Sequence, residues 1–251
     1  MTAYTVKNQF ANTRAHDVSV SQRMELVLNG IYQMLGWKTR RTDAALDLRG
    51  VDLIATLPGD PSRDLFIDEK VAARYWDRDL QTYCCELTCN TNRSGLGWFA
   101  PEQSDYYRTT HLLFVWVRAE DRELRRLNKV EMMLVKKKDL YRYFEYIVGR
   151  DALQDGTRAF CERVLAGGIR TELAPGVTLK KNTYGPEKSV NVIFSKEILG
   201  KLASFSQTFD GPDCRRAINL ERGTQYGRRY TPSAMSFTGF GSGSRAKLPV
   251  M

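Results

Sequence analysis

The stretch His111 to Arg118, HLLFVWVR, restricts the fold more than any other part of the chain. Leu112 to Val117 is an uninterrupted apolar run of six residues, so neither side of it can be given to water. Six residues fall far short of the roughly 18 to 20 that a membrane span needs. A segment that is apolar on both faces reads instead as a strand deep inside a sheet, covered above and below. The expected class is α/β, with a central mixed β-sheet flanked by helices. The 251 residues, 42% of them apolar, supply the interior for one large domain or a core with an appendage. The N-terminus has no apolar signal-peptide stretch, and a soluble, cytoplasmic protein is expected.

Other segments fill in the order of elements. Ser19, with Gln22 three residues on, has the form of a helix cap, and Met24, Leu28, Ile31 and Leu35 make an apolar stripe ending at Gly36, which predicts a helix over 21–35. Strand character follows at 37–42, 51–57 and 65–71, the last two separated by the turn-rich PGDPSR and read as a hairpin. Residues 78–89 place Leu80, Tyr83, Cys84 and Leu87 at helical spacing, which predicts a helix. Beyond 118, EMMLV at 131–135 runs into a helix from Lys138 to about Val148, and VNVIF followed by SKEILGKLA repeats that grammar. Three units are expected: a core over 1–150, a C-terminal α/β extension over 151–222, and a basic Gly/Ser-rich flexible tail over 223–251.

Composition narrows the chemistry. Two histidines, His16 and His111, leave little for zinc hydrolases, HNH-type nucleases or Ser-His-Asp triads. Five cysteines without a repeated spacing or a CxxC argue for reduced thiols. Cys84, Cys85 and Cys89, placed on one helix, read as ordinary buried thiols rather than iron–sulfur ligands. The net charge of +9 favours a polyanionic partner, and the last 41 residues hold seven basic side chains against Asp213 and Glu221.

Catalysis, if present, then falls to carboxylates and lysine. In the strand 65–71 side chains alternate, so Asp68 and Lys70 emerge on one face and Glu69 on the other. Asp52, in the preceding strand, can approach Asp68 across the hairpin. Two converging carboxylates repel each other unless a cation compensates them, and all-oxygen ligation suits Mg²⁺ or Mn²⁺. Lys70 is the single lysine in the chain with an acid two positions earlier.

A helix carrying Glu25, a strand, GVDLIATL, LFIDEKV, a helix and a further strand together resemble the PD-(D/E)XK nuclease superfamily, most strongly its archaeal Holliday-junction-resolvase branch, over roughly residues 19 to 118. That resemblance implies a restriction-endonuclease-like core and a Mg²⁺-dependent deoxyribonuclease, an endonuclease, in which metal-activated water hydrolyses the phosphodiester. It assigns Asp52, Asp68 and Glu25 to catalysis and metal binding, the Glu69 backbone carbonyl to the metal, and Lys70 to positioning or activating the nucleophile. Gln81 and Glu86 become auxiliary candidates. The chain departs from the pattern in having Val51 where proline usually precedes the first Asp, Asp68 where Glu is commoner, and Gln81 only two residues before Tyr83.

DNA is the expected partner, with Arg74, Lys136, Lys137, Arg228 and Arg229 as phosphate contacts, no membrane, and a homodimer by analogy. Tyr75, Trp76, Trp98 and Phe99 either stack on bases or pack, and Lys136 to Lys138, Lys180 and Lys181 either touch phosphates or form hydrated surface. His111 reads as a satisfied core histidine. The bland alternatives are a solvated Asp68–Lys70 pair, a solvent-facing Glu25 and an Asp52 that caps a turn. The rival function is a non-catalytic nucleic-acid-binding or assembly protein that keeps the nuclease fold. A restriction enzyme of a bacteriophage or mobile element would share the chemistry and differ in substrate.

Overall fold

The computed structural model describes residues 3–42, 50–91, 94–101, 106–183 and 188–225, with side chains from 19 to 222. The first helix, α1, runs over Ala3–Met34. Met24, Leu28, Ile31 and Leu35 are buried as their spacing predicts. The helix starts far ahead of residue 21, however, so Ser19 lies inside it and is not its N-cap. No Pro or Gly interrupts 3–29, and the S-x-x-Q pattern by itself does not forbid helical backbone.

A six-stranded sheet follows. β1 (Lys38–Arg41), β2 (Leu53–Leu57) and β3 (Asp60–Val71) pair antiparallel in succession. β3 then lies parallel to β5 (His111–Ala119), which pairs antiparallel with β6 (Leu127–Lys136), and β6 with β10 (Ala203–Asp210). The sheet is therefore mixed, in the order β1-β2-β3-β5-β6-β10. The run that opened the sequence reading sits inside it. Leu113, Val115 and Val117 of β5 enter one apolar cluster while Leu112, Phe114 and Trp116 enter another on the opposite face.

The segment between β3 and β5 corrects an expectation. Residues 78–89 do not form a helix; Thr82–Cys89 is a strand, β4, at the edge of a second, antiparallel sheet. Its neighbours are, in order, β9 (Ser189–Ser195), β8 (Val177–Asn182) and β7 (Arg170–Ala174). Cys85, Leu87 and Cys89 are buried at a period of two, and the helical spacing of Leu80, Tyr83, Cys84 and Leu87 was a coincidence over one short run. Cys84 is exposed, not buried. The thiols of Cys85, Cys89, Cys161 and Cys214 are buried and unbridged.

The central sheet is covered on both sides. One face packs on α1 and on α5 (Gly211–Gln225); the other packs on the second sheet together with α2 (Lys137–Val148), α3 (Thr157–Val164) and α4 (Lys196–Leu202). The two strand-to-helix units at 127–148 and 189–202 form as expected. β10 and α5, late in the chain, join the layers built by the first 150 residues, while β4 joins the later sheet. Residues 226–251 lie outside the described part, and among the described residues no helix is long and apolar enough to cross a membrane.

α1 and α5 meet at Gly30, where an added Cβ would lie 2.0 Å from the carbonyl oxygen of Ala217. Backbone cannot yield by that much without moving a helix. Gly30→Ala is therefore expected to cost about 1–3 kcal/mol of stability by overpacking, read as a lower urea midpoint; a midpoint equal to wild type would contradict this helix contact.

Candidate active site

The β2–β3 hairpin fixes the site. Its register pairs Leu53 with Ile67, and the Asp52 amide donates to the Ile67 carbonyl at 2.9 Å, which sets Asp52 directly across from Asp68. Residues opposite each other in an antiparallel pair share a face, with Cβ atoms about 5 Å apart. Asp52 Oδ2 also accepts the Glu69 amide at 2.7 Å, so the carboxylate is anchored to the strand that it faces.

Asp68 is 2% exposed. Its Oδ1 is 2.7 Å from Lys70 Nζ, while its Oδ2 is buried and receives no hydrogen bond from the described residues. Burial, and then the neighbouring Asp52 carboxylate, push its pKa up to about 7 against the pull of Lys70. Burial works against the Lys70 ammonium as well, but Asp68 and then Asp52 outweigh it and hold its pKa above the usual lysine value. The Lys70 side chain keeps 23% of its surface exposed, and its Nζ sits 4.5 Å from the centre of the Trp98 ring. Cation–π contact and the ion pair together point the amine toward Asp68. From β4, Tyr83 and Cys85 lie near the same carboxylate, and burial raises the pKa of both.

Glu69 occupies the other face of β3, as alternation requires. Its carboxylate accepts from the Tyr32 hydroxyl and pairs with the Arg41 guanidinium. Burial raises the Glu69 pKa even so, against Arg41 and Tyr32. Arg41 also donates to Asn29 Oδ1 at 3.0 Å and lies 3.6 Å from Glu25, whose side chain is 52% exposed. Glu25, Arg41, Thr42, Asp52 and Glu69 line a cleft of about 670 Å³ beside α1.

The structure thus brings together Asp52, Asp68 and Lys70. It leaves Glu25 out of that cluster, on the cleft rim, and it turns the Glu69 side chain away. Among the described residues no group of three or more His, Cys, Asp or Glu is arranged to hold a metal ion. The fit for a divalent cation rests on two carboxylates and on the donor-less Asp68 Oδ2, and Mg²⁺ is commonly held by one or two carboxylates with water filling the rest.

The remaining candidates scatter. Gln81 precedes β4 and its amide is bound to Asp79 at 2.7 Å. Glu86 alternates to the side of β4 opposite Cys85. Lys137 is not a phosphate contact: it is buried and its Nζ donates to the Tyr106 carbonyl at 3.0 Å. Lys136, Lys180 and Lys181 are exposed. Arg74 is exposed on the short turn Ala73–Tyr75 and lines a second cleft with Tyr75, Tyr83 and Arg122. Arg228 and Arg229 lie outside the described residues.

Phe99 is fully buried and packs rather than stacking on a base, and His111 is a core histidine, 2.9 Å from Thr110 Oγ1. Arg41 and Tyr32 were not singled out by sequence reasoning. Only the placement of Glu69 inside an apolar strand hinted that some cation or hydroxyl had to meet it.

A carboxyl whose folded pKa exceeds its unfolded value contributes stability below the unfolded pKa, near 3.8 here, and loses it as pH rises through about 7. His111, held down to about 4 by burial, contributes a slope of opposite sign. The stability of wild type relative to Asp68→Asn isolates the first effect: it is expected to fall between pH 4 and pH 7 without metal. Urea midpoints across that range check it, and a difference independent of pH would contradict the burial of an ionisable Asp68.

Comparison of the chain with protein-family models, with curated proteins and with solved structures finds no match.

Proposed function

We infer that this chain is a Mg²⁺-dependent nuclease that hydrolyses DNA phosphodiester bonds, with Asp52, Asp68 and Lys70 at its centre. One observation carries this reading: two carboxylates meet across a hairpin, and a buried oxygen of one of them has no donor. Such an arrangement favours a proton or a cation between the acids. Bound there, a hard cation would supply Lewis acidity, making water a better nucleophile and offsetting charge on a phosphoryl group.

The chain's own residues account for the remaining work. Asp52 is fixed by the Glu69 amide and reaches the cleft, so it meets an incoming phosphate first. Lys70, held as an ammonium by Asp68, acts as a positive charge that orients the attacking water and stabilises the negative charge developing on phosphorus-bound oxygen. Arg41 compensates Glu25 and Glu69, which limits the repulsion a phosphate would meet at the cleft wall. Glu25 serves as a rim acid that can contact a cation through water.

A non-catalytic nucleic-acid-binding or assembly role is favoured by a different observation: Glu25 and Glu69 are committed to Arg41 and Tyr32, which leaves two acids rather than four near the hairpin. Titration with Mn²⁺ separates the two readings, since only the nuclease requires binding that disappears in Asp52→Asn and Asp68→Asn.

Activity is tested with linear, circular, branched and single-stranded DNA, in Mg²⁺ and in chelator. The nuclease reading expects cleavage in Mg²⁺ alone. Lys70→Ala and Asp68→Asn should each slow it by about 10²-fold or more, with DNA binding in chelator little changed. Cutting at the wild-type rate by either variant, or no Mg²⁺-dependent cutting of any substrate, would overturn it.

A further inference from the structure

A groove on the helical face of the molecule stands apart from the carboxylate pair. It has a volume of about 230 Å³ and runs between α1 and α5, lined by Arg23, Arg125, Arg215 and Arg222 around Leu26, Ile218 and Asn219. Among the described residues no acid lines it and none of the four arginines forms a salt bridge. The Asp121 carboxylate accepts from the backbone amides of Arg125 and Arg126 at 3.1 and 3.2 Å. Glu221, next to Arg222 in sequence, is bound to Gln33 at 2.5 Å.

Four guanidinium groups brought around one groove repel one another, and the close approach of α1 and α5 at Gly30 holds the two helices that carry three of them together. A bound polyanion relieves that repulsion. The spacing suits a chain of phosphates. Arg215 and Arg222 are seven residues apart on α5, two turns or about 10 Å, which matches the axial rise of roughly three nucleotides of one strand at 3.4 Å each. Planar guanidinium forks are suited to phosphate oxygens.

The groove also has a fixed relation to the candidate site. Arg23 and Glu25 are two residues apart on α1, so they project about 200° apart around the helix. The cleft and the groove therefore flank the same helix, whose diameter with side chains is about 10–12 Å. A polymer can occupy both at once, whereas a mononucleotide cannot.

We propose that the arginine-lined groove between α1 and α5 holds the phosphate backbone of a nucleic-acid strand, flanking the segment presented to Asp52 in the cleft. The proposal rests on the nuclease reading for its substrate class but not for its binding chemistry. Arg228 and Arg229 follow α5 in the sequence and add two further positive charges to the chain.

The test is equilibrium binding of labelled single- and double-stranded DNA to the full chain in chelator, over a range of salt. Replacing Arg23 and Arg222 together by Gln should flatten the plot of log K against log salt by about 2 and weaken binding at about 0.1 M salt by at least tenfold. Replacement by Lys should restore most of that loss. Arg125→Gln, at an exposed loop position, should flatten the slope by about 1 without bearing on helix packing.

Slopes and affinities equal to wild type in both Gln variants would overturn the proposal. So would competition by polyglutamate, or by phosphatidylserine vesicles, as strong as that by DNA at equal charge. The two readings fail separately: if the slopes change but wild type never cuts DNA in Mg²⁺, the groove stands and the nuclease falls. If wild type cuts and the slopes do not change, the reverse holds.

Discussion

The whole arrangement depends on β5 being apolar on both faces. A strand that must be roofed on two sides forces two hydrophobic layers, and here they are unlike: α1 and α5 on one side, a second antiparallel sheet with α2, α3 and α4 on the other. β3 is the parallel neighbour of β5, so its side chains also alternate between those layers. Ile67 and Glu69 go toward α1, while Asp68 and Lys70 go the other way. Three successive charged residues inside such a strand cannot all find water. Each has to be matched by a specific partner, and the partners define the candidate site.

The matching is uneven. Glu69 is satisfied by Tyr32 and Arg41, and Lys70 by Asp68 and the Trp98 ring. Asp68 has one oxygen served by Lys70 and one that is buried with no donor among the described residues. Folding tolerates this because the hairpin is held by apolar contacts on its α1 side, Leu53, Ala55, Leu65 and Ile67 all being buried there. Polar imbalance in an otherwise well-packed sheet is where function is usually found, since unpaired buried groups are costly and persist only where something binds them.

Several features were legible in the sequence because their physics is local. The two-faced strand, the hairpin with its turn-rich PGDPSR, the opposition of Asp52 and Asp68, and the Met24-to-Leu35 stripe all follow from side-chain period and turn chemistry. The errors arose where a short pattern served two periods or where a partner was remote. Residues 78–89 carry apolar side chains at both helical and strand spacing, and what decides between them is β9, more than a hundred residues on. Lys137 looked like one of three surface lysines until Tyr106 supplied it with a carbonyl. The Glu69–Tyr32–Arg41 cluster joins three elements and has no signature within any one of them. The groove between α1 and α5 is likewise invisible without the helix pairing.

The account turns on a cation being held between Asp52 and Asp68, and crystals grown with Mn²⁺ address that directly. Anomalous scattering should place one manganese within bonding reach of an oxygen from each of these two carboxylates, with water completing its shell. A hairpin clearly resolved with no anomalous peak there while Mn²⁺ is present in excess would contradict the account.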